Sequence, residues 1–209
     1  MSPEFLIEHF QLEPLTIEGG MFRLEYRSAE EISADALPPR YTHAKALGNA
    51  ILYLHLASGH APSSEEDARA PEHDHLRLHK HSVLHRLRTD EIYHFYRGDP
   101  VTLLLLFPDG HFETHTLGQQ YEQGHKPFLV VPREVWQGSF LNAGGEWALI
   151  GCSLALAYDD DDFELGAREL LCAQYPDAAE LIRRLTPDDV SALLATDPRK
   201  ASQIRVQQK

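Results

Sequence analysis

Two cysteines, two methionines and two tryptophans in 209 residues leave little material for several common chemistries. Cys152 and Cys172 have no CxxC spacing, so they suggest neither a thiolate zinc site nor a dithiol redox centre and are expected to be reduced structural thiols. No stretch reaches the roughly 18 apolar residues that a membrane span requires. Neither end shows a charged segment followed by an apolar core and a small-residue cleavage site, so the expected location is cytoplasmic. Basic charge is also scarce: 19 Lys and Arg against 32 Asp and Glu give a net charge of -13 and a pI near 5.4. A nucleic-acid backbone or an anionic membrane surface needs basic patches, so neither is an expected partner.

What is present is an ordinary globular composition, 43% apolar and 24% charged, enough for one buried core. Residues 1–209 are therefore expected to form a single domain. "SPEFLIEHFQL" predicts a short N-terminal helix with Ser2 as cap and Pro3 at its first position. Gly19-Gly20 marks a turn into a strand over Met21 to Tyr26, and "NAILYLHLAS" predicts a strand from Asn49 to Ser58. The polar, acidic run that follows has little to bury and predicts an inserted loop over about residues 59–80. From Ser82 short strands recur between Gly and Pro turns: "SVLHRL", "EIYHFYRG", "VTLLLLFP", "HFETHTL", "PFLVVP", "VWQGSFL" and "WALIGCSLAL". That rhythm favours a sandwich or closed barrel. Beyond residue 165 the apolar spacing becomes helical, with Asp177 and Asp188 near helix starts and Arg183 and Arg184 near an end. The expected architecture is a mainly β barrel core over 13–165, with the short N-terminal helix before it and C-terminal helices and a fraying tail over 166–209.

The stretch Glu72 to His94 holds His73, His75, His79, His81, His85 and His94, six of thirteen histidines. "HDH" and "HKH" could each grip a metal if extended, but their place in or beside the insertion makes His73, His75, His79 and His81 solvated loop residues. In a strand starting near Glu91, residues Glu91, Tyr93 and Phe95 share one face and His94 takes the other. If Glu91 points into the barrel, His94 points out.

Together, "EGGMFRLEYRS", "HRLRTDEIYHFYRGDPVTLLLLFPDG", "TLG", "VVPREVWQGSF" and "IGCSLALAYDDDDFEL" resemble a cupin family known as the fifth cupin family, a domain of unknown function. The resemblance runs from about Glu13 to about Thr186, omitting the acidic insertion. It implies a cupin double-stranded β-helix, or jelly-roll barrel, commonly a homodimer, with a small-molecule pocket inside. Superfamily relatives include sugar-nucleotide epimerases, germin-like metal enzymes and seed storage proteins, so fold leaves the chemistry open. Metal-binding cupins carry His, one residue, His, three or four residues, Glu, six residues, Gly. Here His85, Leu87, Glu91 and Gly98 take those places, so one imidazole is replaced by hydrocarbon. In the second motif a proline precedes a third histidine by five residues, and here Pro132 precedes Gln137.

A set of His85, Glu91 and Gln137 is a poor one for zinc, copper or nickel, so no cofactor is expected; weak binding of a divalent ion through those three is the alternative. A metal-free pocket would use His85 as acid or base with Glu91 as its partner, unless His85 is a hydrogen-bonded core histidine. Tyr93, Phe95, Trp136 and Gln137 are the candidate substrate-binding residues, although Trp136 and Gln137 are strand neighbours and face opposite ways in regular geometry. Glu18 and Arg23 could edge the pocket or a dimer contact. The run Asp159 to Asp162 lacks calcium-loop spacing and is expected to be a solvated turn. The function implied is a metal-independent isomerase or epimerase acting on a carbohydrate-like compound. A non-catalytic small-ligand-binding cupin and a weak divalent-metal-dependent cupin enzyme are the alternatives, which leaves open whether the chain is an enzyme. The expected partners are a small-molecule ligand and a second copy of the chain.

Overall fold

The computed structural model of the chain describes residues 1–57, 81–187 and 205–206. Helix α1 (Pro3–Phe10) begins where Ser2, held extended, accepts the Phe5 N–H at its hydroxyl (3.4 Å), and where Pro3 occupies a position that needs no donor. The strands that follow are β1 (Glu13–Pro14), β2 (Met21–Arg27), β3 (Glu31–Ile32), β4 (Lys45–Ala46), β5 (Asn49–Leu56), β6 (His81–Arg86) and β7 (Glu91–Gly98). They continue as β8 (Val101–Leu106), β9 (Phe112–Leu117), β10 (Phe128–Val131), β11 (Trp136–Leu141), β12 (Trp147–Leu154) and β13 (Glu164–Leu165). Helices α2 (Arg168–Gln174) and α3 (Ala179–Leu185) and the short strand β14 (Arg205–Val206) complete the chain.

Two six-stranded sheets face each other, one ordered β1-β2-β5-β12-β7-β10 and the other β14-β13-β6-β11-β8-β9. Antiparallel register brings Cys152 opposite both Ile51 and Tyr93, Ile150 opposite both Tyr53 and Phe95, and Leu154 opposite both Asn49 and Glu91. Residues opposite one another point to the same face, so these registers aim one row of side chains from three strands into the interior. On the second sheet Gln137 sits opposite Leu105 and His85, and Ser139 opposite Leu103. The interior is filled by Tyr53, Tyr93, Phe95, Leu103, Leu105 and Ile150 among others.

The run "VTLLLL" loses clean alternation because both of its faces are covered. Leu103 and Leu105 enter the barrel, while Leu104 and Leu106 join Trp136 and Phe140 in a second cluster under Leu171, Tyr175, Ile182 and Leu185. The C-terminal helices are thus a lid on the outer face of the second sheet. Tyr175 reinforces that seat by donating its hydroxyl to the Phe107 carbonyl (2.8 Å).

Several sequence expectations are corrected. His81 is a strand residue opposite Phe140, because strand pairing with β11 extends one residue before the expected start at Ser82. The tail supplies β14, which pairs in parallel with β13 through Glu164 to Arg205 and Leu165 to Val206, where fraying was expected. The Asp159 to Asp162 run is not merely a solvated turn. Asp162 is 4% exposed and bonds to the ammonium of Lys45, itself 1% exposed, while Asp159 lies 3.7 Å from the same nitrogen and 3.2 Å from His43. His73, His75, His79, Asp188 and the whole of the expected insertion lie outside the described residues.

Replacing one partner of a buried ion pair strands the other charge away from water. Lys45→Met should therefore cost about 3–5 kcal/mol in urea unfolding, and Lys45→Met combined with Asp162→Leu should recover most of that loss.

Candidate functional site

The site begins with the alternation of β7. Glu91, Tyr93 and Phe95 face inward, whereas His94 faces out, where it reaches Ser153 (3.3 Å) and packs edge-on against Phe128. The strand ends at Gly98, whose φ of 109° and closeness to the Trp147 carbonyl exclude a side chain, which explains the glycine of the first motif. His85 arrives from β6 and Gln137 from β11, opposite one another in register. His85, Glu91 and Gln137 are 1%, 6% and 1% exposed.

A buried carboxylate needs donors, and Glu91 has several. Its Oε2 accepts from Gln137 Nε2 (2.7 Å) and from the Tyr93 hydroxyl (3.4 Å), and His85 Nε2 stands 3.9 Å away, an ion-pair distance. The other ring nitrogen of His85 donates to the Val83 carbonyl (2.8 Å), which fixes the ring's orientation and aims Nε2 at Glu91. Phe163 stacks on the imidazole at 5.1 Å between centroids and 16° between planes. Burial opposes a charge on His85, but the negative charges of Glu18 and then Glu91, with the bond to Val83, override it and raise the pKa to about 9. The group is thus an imidazolium at neutral pH. Cys152 and Tyr93 shift upward as well, for a different reason: burial first, and then the charge of Glu91, push both well up, so they remain protonated.

Beside this cluster lies a cavity of about 190 Å³. Glu91 is in its wall, with Glu18, Arg27 and Asn49 as the other polar residues, while Phe22, Tyr158 and Phe163 give it aromatic surface. Glu18 is held by the Ser82 hydroxyl (2.7 Å), Arg27 donates to the Tyr158 carbonyl (2.9 Å), and Asn49 Oδ1 accepts the Tyr158 N–H (2.7 Å). The volume is below the 300–1,000 Å³ of drug-sized pockets and suits a compact ligand.

Among the sequence-predicted residues, Glu91 reaches the cavity directly, while His85, Gln137 and Tyr93 form a layer behind it. Phe95 packs in the barrel core and is not in the described cavity wall. Trp136 lies on the opposite strand face from Gln137, buried under the C-terminal helices with the Arg86 guanidinium 4.5 Å above its ring, so the structure places it away from the pocket. Regular pairing of β11 with β8 forces that outcome. Glu18 edges the cavity as the sequence allowed, whereas Arg23 turns to the Phe10 carbonyl (3.1 Å) at the end of α1. Asn49, Arg27 and Phe163 were missed. Alternation along β5, which puts Asn49 on the face of Tyr53, was the signal available for the first.

The donor set does not suit a tightly held transition metal. Leu87, in the place of the second histidine, packs with Ile17, Val83, Leu154 and Phe163. Gln137 presents its amide nitrogen to Glu91, and its oxygen, buried without a protein partner, is turned from that carboxylate. One imidazole nitrogen and one carboxylate remain, and among the described residues no group of three or more His, Cys, Asp and Glu side chains could hold an ion.

Comparison with known proteins agrees with this fold. Residues 75–166 match the family described as the cupin superfamily (DUF985). A solved protein from Shewanella oneidensis is 27% identical, with a TM-score of 0.70 over 90% of this chain and 99% of that one. A hypothetical protein from Leishmania major reaches the same TM-score of 0.70 at 23% identity, covering 90% of this chain and 100% of its own. A dTDP sugar isomerase from Desulfovibrio desulfuricans G20 aligns over 73% of this chain and 86% of its own at 14% identity, with a TM-score of 0.42, too distant to bear on activity. No curated protein matches the chain. The fold is that of the cupins: mainly β, antiparallel sheets, with helices at both ends.

Two buried histidines make stability depend on pH in opposite directions. His85 binds its proton more tightly folded than unfolded, so its contribution, on the order of 3 kcal/mol, is complete below about pH 6.5 and is lost as pH rises through about 9. His55, on the interior face with Nε2 at 3.1 Å from Ser139, is held neutral by burial and secondarily by His81, its pKa lowered to about 3. Its contribution is present above about pH 6.5 and fades as pH falls toward 3. Urea unfolding across pH 4 to 10 should therefore show the part due to these two groups greatest near pH 6.5. His85→Gln should flatten the alkaline limb, and an imidazole titration by NMR with a midpoint near 6.5 would contradict the assignment.

Proposed function

We propose that this cupin-fold chain is a metal-independent isomerase or epimerase of a small molecule, in which Glu91 moves a proton at a carbon beside a carbonyl. The observation that carries the proposal is the buried carboxylate of Glu91, whose Oε2 is held by Gln137 and Tyr93 while the residue lines the cavity. The carboxylate is the base. It would take the proton, the C–H electron pair would pass to the carbonyl oxygen as an enolate, and return of the proton to the same carbon or its neighbour would complete epimerisation or isomerisation without a redox partner. Arg27 and Asn49 bring N–H groups to the same cavity, where a developing oxyanion needs them. His85, behind Glu91, serves as a positioning residue: its positive charge holds the carboxylate in place. A carbohydrate-like ring would stack on Phe22, Tyr158 or Phe163 in the place that Trp136 was expected to fill.

The test is exchange with solvent. Protein incubated in D2O with a panel of aldoses, ketoses and their deoxy and amino analogues should replace one substrate C–H with C–D, read by NMR. Glu91→Gln should slow exchange by roughly 10²–10⁴-fold. His85→Gln should lower the rate less and move its pH profile. Saturable binding of a panel compound with no exchange would replace this function with that of a non-catalytic binding module. Exchange that needs an added divalent ion, with more than about a tenth of a metal per chain in protein purified without an affinity tag, would replace it with metal-dependent catalysis.

A further inference from the structure

We infer that the end of the barrel away from Glu91 carries a second binding site, one that takes a saccharide ring against Trp147. A cavity of about 430 Å³ lies there, lined by Arg97, Asp99, Gln119, Glu146 and Trp147 together with Gly98 and Gly144. It falls within the roughly 300–1,000 Å³ of small-molecule pockets. Strand β7 runs from Glu91 in the wall of the first cavity to Gly98 in the wall of this one, about 23 Å at the rise of a strand. Strand β12 spans the same interval, from Trp147 to Leu154. The two sites are therefore separate, and this one does not depend on the proposed proton transfer.

Its frame is held by the backbone. Asp99 Oδ2 accepts the N–H groups of Glu146 (2.7 Å) and Trp147 (3.3 Å), and the Asp99 N–H donates to the Trp147 carbonyl (2.8 Å). Gln119 Nε2 donates to the Tyr96 carbonyl (3.3 Å). Other polar groups in the wall are left over. Among the described residues, the Arg97 guanidinium, the Glu146 carboxylate and the Trp147 indole N–H have no hydrogen-bond or ion-pair partner, although all three residues line one cavity. Arg97, Gln119 and Glu146 are exposed and Trp147 is half-buried.

That combination selects a class of ligand. A small anion would satisfy Arg97 but meet Glu146 and Asp99 as like charges, and a small cation would meet the reverse. A sugar hydroxyl is donor and acceptor at once, so one neutral ring serves guanidinium, carboxylate and amide together. Its C–H face needs an apolar plane. Trp147 supplies it, the single aromatic side chain among the described lining residues. Gly98 and Gly144, at φ 109° and 83°, carry no side chain, so a ring can approach the backbone closely.

Tryptophan emission reads the site directly, because Trp136, the other tryptophan, is 2% exposed beneath the C-terminal helices. Emission and saturation-transfer NMR are followed during titration with glucose, galactose, mannose, N-acetylglucosamine and their oligomers, with acetate and ethylamine as charged controls. At least one sugar should shift the emission and saturate with a Kd of about 20 mM or below. Arg97→Gln and Glu146→Gln should each weaken that affinity about fivefold, with an unchanged melting temperature. Trp147→Phe should keep the NMR signal and lose the emission response, whereas Trp147→Ala should lose both. If Trp147→Ala fails to fold, the two exposed substitutions decide. Affinity that rises from mono- to trisaccharide identifies a glycan chain as the source and a level affinity identifies a free sugar; either supports the inference. No sugar saturating below about 20 mM, acetate or ethylamine binding more tightly than every sugar, or an affinity that neither exposed substitution lowers would overturn it. Arg97→Gln should leave solvent exchange at the Glu91 cavity unchanged, so failure of either reading leaves the other standing.

Discussion

A carboxylate kept from water must be surrounded by donors, and the neighbourhood of Glu91 is organised by that requirement. Gln137 from β11, Tyr93 from its own strand and His85 from β6 all turn toward Oε2. Because these donors come from both sheets, the demand of one anion also ties the sheets together at the level of the cavity. Burial first and the charge of Glu91 second keep the Tyr93 phenol and the Cys152 thiol protonated, while Glu18 and then Glu91 hold His85 as an imidazolium. Cys152 is thereby kept from acting as a thiolate nucleophile.

The same requirement explains the consequences of Leu87. In a metal cupin a cation would neutralise the glutamate. Here hydrocarbon fills the second histidine's place, within the cluster of Ile17, Leu154 and Phe163, and a protonated histidine with an amide takes over the neutralising task. The charge that His85 supplies there depends on pH.

Much of this was legible in the sequence, for identifiable reasons. Period-two alternation placed Glu91, Tyr93 and Phe95 inward and His94 outward because β7 is a regular strand from Glu91 to Gly98 until its irregularity with β12 near Leu149 and Ile150. Alternation likewise warned against pairing Trp136 with Gln137 in one pocket, and the structure separates them. The acidic run at Asp159 to Asp162 misled because its partner, Lys45, is 117 residues away from Asp162, beyond the reach of local pattern. Arg27 and Phe163 eluded the sequence for the same reason: a cavity wall joins segments that share no periodicity. The pairing of β14 also escaped, since two backbone residues can pair whatever their side chains.

The buried bond between Lys45 and Asp162 has a consequence for traffic through the cavity mouth. It clamps the segment that carries Tyr158 and Phe163 to the excursion between β2 and β5, and Arg27 and Asn49 fasten the backbone of Tyr158 on its other side. That stretch is a strut, not a flap. Leu24, 50% exposed, and Arg27 are the yielding parts of the rim. Exposed side chains change rotamer in picoseconds to nanoseconds, whereas hinged backbone takes microseconds or longer. Widening of the mouth thus falls to two side chains turning aside, and what they uncover sets the width of the opening.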